Sequence, residues 1–488
     1  MKHVLEQASR SGQKLWLAVG ISLALLLPCV WHPRIEAGDV GSHLYNAWLA
    51  QLIERGQAPG LYTVRQWDNI LVDVVLLRLG SVLDLKTAEK MVVAVSVLIF
   101  FWGMFVFINV ATGRAPWFLV PGIAMVTYGW TFQMGFLNYY LSIGLAFWVI
   151  ALAWRGETVD WVIGLIVTAL VLAAHPMGFL WLAGTVVYIK LAEKMSGWRR
   201  WVLLISAFLT ILATHTYIAH VYQTVQPVNW GVHFYSGFDQ LVLYGRRYRT
   251  LALMVVLLTL AITLAGVIEV RNNGAFWRQV RTPAELWMMT IFATAMLWDG
   301  IVIPKYATGF TFVASRLTSV TAALGLCVMG SLPPRRWHLT AFIICATVFF
   351  AMLYQDTGRL NRMEEQAESL VNELPNGTRV IQTIFVPPGS RIHTNHLVDR
   401  ACIGRCFCFS NYEPSTGQFR IRARPDNPLV VASPENSVAM QDGTYVVRPE
   451  DLPIAQVYQC DERDPDRLCL RYLAAGEING QGNYHPLN

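Results

Sequence analysis

At 488 residues, with 54% hydrophobic and only 14% charged residues and a mean hydropathy of +0.40, the chain is too apolar for a water-soluble globule, which runs at about 45–50% apolar and about 25% charged. The formal net charge of +6 does not point to nucleic acid, because the basic residues fall in short clusters between hydrophobic runs, where they orient a chain in a bilayer. The expected class is an α-helical polytopic membrane protein.

Apolar runs of roughly 20 residues cross a hydrocarbon core of about 30 Å at about 1.5 Å per residue. Such runs begin near Leu15, Met91, Trp117, Phe136, Trp161, Met177, Trp201, Leu251, Leu286, Phe312 and Leu339, which predicts about 11 spans. The first follows a basic amino terminus but lacks a small-residue cleavage site before "WHPRIEAGD", so it reads as a retained helix. Arg114, Arg155, the set Lys190, Lys194, Arg199 and Arg200, then Arg271, Arg278 and Arg281, and finally Arg335 and Arg336 all fall in alternate loops. They place the amino terminus in the cytoplasm. The long first outer loop (32–87), residues 223–248, residues 300–311 and everything after Tyr354 then lie on the extracytoplasmic face of a bacterial-type inner (plasma) membrane.

Two domains follow: a membrane domain over 1–355 and a soluble extracytoplasmic domain over 356–488. From about Asp356 charged residues rise, and "LPNGT", "VPPGS" and "RPDNP" punctuate shorter apolar runs. "DTGRLNRMEEQAESLVNEL" predicts a helix leading out of the last span, and "TRVIQTIFV", "PLVVAS" and "GTYVVR" predict strands, hence a small α/β or α+β fold. Cys402, Cys406, Cys408, Cys460 and Cys469 all lie in this tail, on the side where disulfides persist. Cys460 and Cys469 are expected to pair, and one bridge is expected within Cys402, Cys406 and Cys408. Zinc binding by "CIGRCFC" is the weaker alternative, because His393 and His396 precede it without a matching second pair.

Polar chemistry is densest in the first outer loop, "EAGDVGSHLYNAWLAQLIERGQAP", residues 36–59. Leu44, Trp48 and Leu52, with a stop at Gly56 and Pro59, predict a helix along the membrane surface. His43 and Asn46 share one face of it and Asp39 lies one turn before His43, so the three can converge; the plainer alternative is that Asp39 only caps the helix. Gln133 and Asn138 in "QMGFLNYY", His175 in "AAHPMGF", Arg246 and Arg247 in "YGRRYR", Lys305, and Arg316 inside a hydrophobic span are the candidate binding groups on the same face. Arg316 is the most informative, since a charge within a span faces a partner or a wet cavity. Four of them have a plainer alternative: a paired or snorkelling Arg316, a turn residue at His175, lipid-headgroup anchors at Arg246 and Arg247. No Gly-rich nucleotide signature is present.

An acid just outside the first span, then a His-containing helix ending in Gly-x-x-Pro (Glu36, Asp39, His43, Gly56, Pro59), in a chain of many spans with a soluble outer tail, resembles the GT-C superfamily of membrane glycosyltransferases. The resemblance implies an inverting transfer of a sugar from a polyprenyl-phosphate donor, with Asp39, helped by Glu36 and His43, as base or as ligand of a divalent metal (Mg or Mn). Asn46, Gln133, Asn138, His175, Arg246, Arg247, Lys305 and Arg316, polar or basic groups on the same face, are then the candidate substrate contacts. "EAGD" stands where many members show adjacent acids or Asp-x-Asp, which leaves the subfamily open. The implied partners are the polyprenyl-phosphate-linked sugar, membrane lipids and a membrane-complex partner, with no nucleic acid. Two other classes compete. A transporter would show internal repeats with matching broken helices, which this sequence lacks; a catalytically silent subunit would use the same fold to hold a partner or lipid.

Overall fold

The structure, a computed structural model, describes residues 2–226, 232–303, 310–387, 389–461 and 463–480. Among them, 6 helices are long and apolar enough to cross a membrane: Leu85–Thr112, Leu137–Arg155, Gly197–Val221, Arg246–Val270, Val313–Gly330 and Arg336–Asn372. Shorter apolar helices cover Lys14–Cys29 and Thr158–Ala174. Val313–Gly330 runs through the middle of the bundle, with 83% of its apolar window buried, whereas Gly197–Val221 has 6% buried and turns Trp198, Trp201, Ile205 and Leu209 outward. An apolar surface of that extent needs lipid rather than water around it.

The run from Trp117 does not form the continuous helix that its composition predicts. It breaks into a 3-10 turn at Trp117–Leu119, a helix at Val120–Thr127 and a single turn at Trp130–Gln133. Pro121 sits at the start of the second piece and Gly129 is extended between the last two. Nearly every residue of this stretch is buried in protein, where broken backbone is tolerated because neighbouring groups replace water as hydrogen-bond partners.

The segment between the first two apolar helices carries two helices, Val40–Glu54 and Leu71–Val82, and a short strand, Leu61–Thr63. Val40–Glu54 is not a surface helix. Leu44, Tyr45 and Leu49 are fully buried, the Tyr45 hydroxyl accepts the Cys408 N–H at 2.8 Å, and Trp48 stacks on Phe407. Its apolar face is therefore covered by the soluble domain, and the strand Leu61–Thr63 pairs antiparallel with Ile421–Ala423 of that domain.

The last apolar helix continues without a break into the soluble part as Arg336–Asn372, 37 residues. That is roughly 55 Å at about 1.5 Å per residue, well beyond a bilayer core. The soluble part holds a four-stranded sheet in the spatial order Phe407–Cys408, Arg379–Thr383, Ile454–Gln459, Leu468–Leu473, the last pair antiparallel and the others parallel. "TRVIQTIFV" supplies the second of these strands, but "PLVVAS" and "GTYVVR" do not form strands. Asn427 takes the Leu429 and Val430 N–H groups onto its side chain, and Val446 makes only an isolated bridge to Ile478. A side chain that captures backbone donors in this way competes directly with a ladder. Disulfides join Cys460 to Cys469, across the ends of the last two strands, and Cys402 to Cys406. Cys408 is free and buried, and its thiol donates to Asp399 at 2.8 Å. With its first two cysteines bridged, "CIGRCFC" is not a zinc site.

Candidate functional site

Asp39 sits where two loops are clamped together. Its N–H donates to the Met134 carbonyl at 3.0 Å, and Gly38 (φ +31°) and Gly135 (φ +76°) face each other's loop. A Cβ on Gly38 would lie 2.3 Å from the Met134 carbonyl oxygen, and one on Gly135 would lie 2.4 Å from the Asp39 nitrogen. Both positions need glycine for space as well as for backbone angle.

Asp39 occupies the first position before Val40–Glu54 but its side chain makes no capping bond. The carboxylate accepts no hydrogen bond from a described residue, and its nearest charged neighbour is His396 Nε2 at 3.8 Å. Its side chain is 24% exposed. Five groups lie in its field: His43, Arg316, His393, His396 and Tyr412. Three of the five come from the soluble domain, so the site straddles the two halves of the chain.

Both flanking histidines are built alike. His43 Nδ1 bonds Asp73 at 2.7 Å, and Asp73 also accepts from Asn138 Nδ2 at 2.9 Å. His396 Nδ1 bonds Asp399 at 2.7 Å. A carboxylate on Nδ1 fixes the ring and leaves Nε2 free to face the site. Burial alone disfavours the imidazolium, but the Asp73 charge and hydrogen bond, with Glu413 and Asp39 nearby, outweigh it and raise His43 to about 9. His396 is likewise raised to about 9, by Asp399, Asp39 and Glu413 against the pull of burial. Both rings are thus cations at neutral pH. Burial lifts Glu413 to about 7 despite the opposing pull of His43 and the Ser42 hydroxyl, which donates to it at 2.6 Å.

Arg316 enters from the central helix Val313–Gly330. The residue before that helix, Phe312, adopts a left-handed φ of +58° and packs against Trp130, Phe136 and His393. The Arg316 guanidinium lies 3.9 Å over the Phe136 ring, and its buried Nε has no partner among the described residues. His175 Nε2 lies 3.4 Å from Arg316 Nη1, while His175 Nδ1 accepts the Met177 N–H at 3.1 Å. His175 therefore both starts the helix Pro176–Lys194 and backs Arg316.

The other sequence candidates divide. Asn138 orients Asp73 and also accepts the Val72 N–H at 2.9 Å, capping the helix there. Asn46 bonds Ser42 and Asn411, behind the histidines. Gln133 is buried between Tyr128 and Tyr244 and does not reach Asp39. Arg247 pairs with Asp356 and Arg246 is exposed, both away from the centre. Lys305 lies outside the described residues.

Glu36 lines the same groove as Gly38, Gly41, His393 and His396, but its carboxyl turns to Arg400. Arg400 is buried and donates to Glu364 and Glu89, each at 2.7 Å, and to the Ile35 carbonyl at 3.0 Å, with Glu36 4.0 Å away. Glu36 thus belongs to the contact that docks the soluble domain rather than to the Asp39 centre. Burial first, then the neighbouring Glu364, holds the Glu36 carboxyl well above the usual carboxylate range.

Asp73, His396, Asp399, Arg400, Tyr412 and Glu413 are absent from the sequence candidates for this centre. Asp73 carried a signal, a lone acid inside the apolar helix "NILVDVVLLRLG". "HLVDR" is unremarkable until it is folded against residues more than 300 positions earlier. No three His, Cys, Asp or Glu side chains among the described residues converge at a spacing that holds a metal ion. Asp73 and Asp399 are already committed to imidazoles, so a divalent metal at Asp39 does not fit the donors present.

No family model matches this chain, and neither a curated protein nor a solved structure matches it.

Proposed function

We propose that this protein is a membrane glycosyltransferase of the GT-C type, transferring a sugar from a polyprenyl-phosphate donor to an acceptor on the extracytoplasmic face of a bacterial-type inner membrane. The observation that carries the reading is Asp39 itself. A partly exposed carboxylate with no hydrogen-bond partner among the described residues, in a loop held by two glycines, lies in the field of a buried guanidinium with an unused donor. Transfer from a lipid phosphate needs a base for the acceptor proton and positive charge beside the departing phosphate. Asp39 takes the proton from the acceptor hydroxyl or amide as its oxygen or nitrogen bonds to the sugar carbon. The bond from that carbon to the phosphate oxygen breaks, and the phosphate leaves toward Arg316.

On this reading about 11 spans and a cytoplasmic amino terminus bring the loop, the soluble domain and the mouth of the central helix to one face. Arg246 and Arg247 then serve headgroups at the membrane boundary rather than the reacting phosphate. The test is release of polyprenyl phosphate, followed by mass spectrometry, from proteoliposomes loaded with extracted lipid-linked sugars and acceptor-containing membrane extract. Asp39→Asn is expected to lower release by at least about 100-fold, the scale of a lost general base. Equal release by the variant refutes Asp39 as base, and no release by the unaltered protein favours a silent subunit.

A further inference from the structure

The chain between the helices Val40–Glu54 and Leu71–Val82 carries a patch that the Asp39 centre does not use. Both ends of Leu71–Val82 lie level with the bilayer boundary. The Ile70 N–H, just before the helix, donates at 3.1 Å to the Ala173 carbonyl. Ala173 is in the last turn of the apolar helix Thr158–Ala174, whose Leu165, Ile166 and Leu170 are exposed. At the other end Val82 and Leu83 are exposed immediately before the span Leu85–Thr112 begins. Trp67, three residues ahead of Ile70, is 70% exposed at this same level. Tryptophan concentrates where hydrocarbon meets headgroups, because its ring is apolar and its N–H is not.

Cations gather around it. Arg65 lies 4.5 Å over the Trp67 ring. The Gln66 side chain, between the two, donates at 3.3 Å to the Gln418 carbonyl and so brings in the start of the strand Ile421–Ala423. Backbone bonds from Val64 to Arg420 and from Arg424 to Gly60 continue the pairing of that strand with Leu61–Thr63 at both ends. Ile421 and Ala423 pack into the apolar core of the soluble domain, so Arg420, Arg422 and Arg424 occupy the opposite face. Tyr62 stands across the ladder from Arg422, and Arg424 lies 5.8 Å over its ring.

We propose that this arginine row, with Arg65 and seated beside Trp67, is a docking surface for anionic phospholipid headgroups in the leaflet next to the soluble domain. The inference goes beyond the proposed reaction and does not depend on it. A guanidinium matches a headgroup phosphate with two parallel N–H bonds. The potential of an anionic leaflet falls off within a Debye length, about 8–10 Å. Along a strand at about 3.4 Å per residue, Arg422 stands up to about 7 Å and Arg424 up to about 14 Å beyond Arg420. Arg65 and Arg420 therefore meet the headgroups, Arg422 stays within their field, and Arg424, held over Tyr62, falls outside it. That gradient separates a membrane from a soluble acidic polymer, which would engage the evenly spaced row throughout.

The experiment uses the unaltered full chain in nanodiscs. Phenylglyoxal reacts with accessible guanidinium groups, and peptide mass spectrometry reads its rate at each arginine. Replacing phosphatidylcholine by a mixture with phosphatidylglycerol is expected to slow labelling of Arg65 and Arg420 by about fivefold, the scale of one arginine held at an anionic surface. Arg422 should slow less and Arg424 not at all, and high salt should abolish the difference. Arg448 is the control, because it lies beside the Glu450 carbonyl that Arg379 binds, beyond the far end of Arg336–Asn372. No slowing at Arg65 and Arg420, or equal slowing at Arg448, overturns the inference. So does protection of Arg420, Arg422 and Arg424 alike by added polygalacturonate in phosphatidylcholine nanodiscs with none from phosphatidylglycerol, which would assign the row to a soluble acidic glycan.

Discussion

Replacing Arg400 by Met removes the guanidinium that touches Glu89, Glu364 and the Ile35 carbonyl together, in surroundings where the side chains of Arg400, Glu364 and Glu89 are 5%, 3% and 4% exposed. Breaking a buried ion pair from one side costs about 3–5 kcal/mol, because the partner is left charged and dry. Arg34 lies 3.6 Å from Glu364 and absorbs part of that loss, so the lower end, about 3 kcal/mol, is the working figure. Docking of segment 396–400 then weakens by about 100-fold at about 1.4 kcal/mol per tenfold. Hydrogen exchange in segments 34–43 and 393–406, corrected for intrinsic rates, is expected to rise accordingly at pH 7.5.

Both proteins share a second pH effect. Glu36 is held above its unfolded value by burial, so its protonated form is favoured in the folded state. Stability is therefore lost as pH rises from about 4.3, the unfolded value, through the raised value, in the variant as in the unaltered protein. Equal exchange of the two proteins at pH 7.5 would refute the docking role of Arg400.

Asp73→Asn should destabilise the site by about 1.5–3 kcal/mol below pH 6.5, the worth of a hydrogen bond to a charged group. Because His43 is raised to about 9, that difference is fully present below the unfolded value near 6.5 and vanishes as pH rises through about 9; thermal unfolding from pH 6 to 10 measures it. Peptide mapping without reductant should find Cys402 linked to Cys406 and Cys460 to Cys469. Burial, with Asp399 alongside, pushes the Cys408 thiol up, so it should resist maleimide until the protein is unfolded.

Much of the architecture was legible before folding. Long apolar runs mark membrane helices because the bilayer demands length and hydropathy in a single stretch, and the helix after Asp356 shows its own periodicity. The cysteine pairs were legible in part, Cys460 with Cys469 by name and the other bridge only to within three residues. Strands were less so: "PLVVAS" is β-branched, yet Asn427 diverts its backbone donors. The run from Trp117 has the composition of a span, and its breaks at Pro121 and Gly129 are accommodated only because protein surrounds them.

For the site, composition and order alone determined that an acid, Asp39, stands beside the first membrane run with His43 one turn on, and that Arg316 is a charge in an apolar helix. Those are local properties, set by residue type and by the 3.6-residue repeat. Tertiary structure decided which cations meet Asp39. Asp73 arrives from the next helix, and His396, Asp399 and Tyr412 arrive from a domain more than 350 residues away. It also moved Glu36 out of the centre, since the field of Arg400, Glu89 and Glu364 claims its carboxyl. Electrostatic partners depend on distance in space, and no period in the sequence encodes a distance between residues so far apart along the chain.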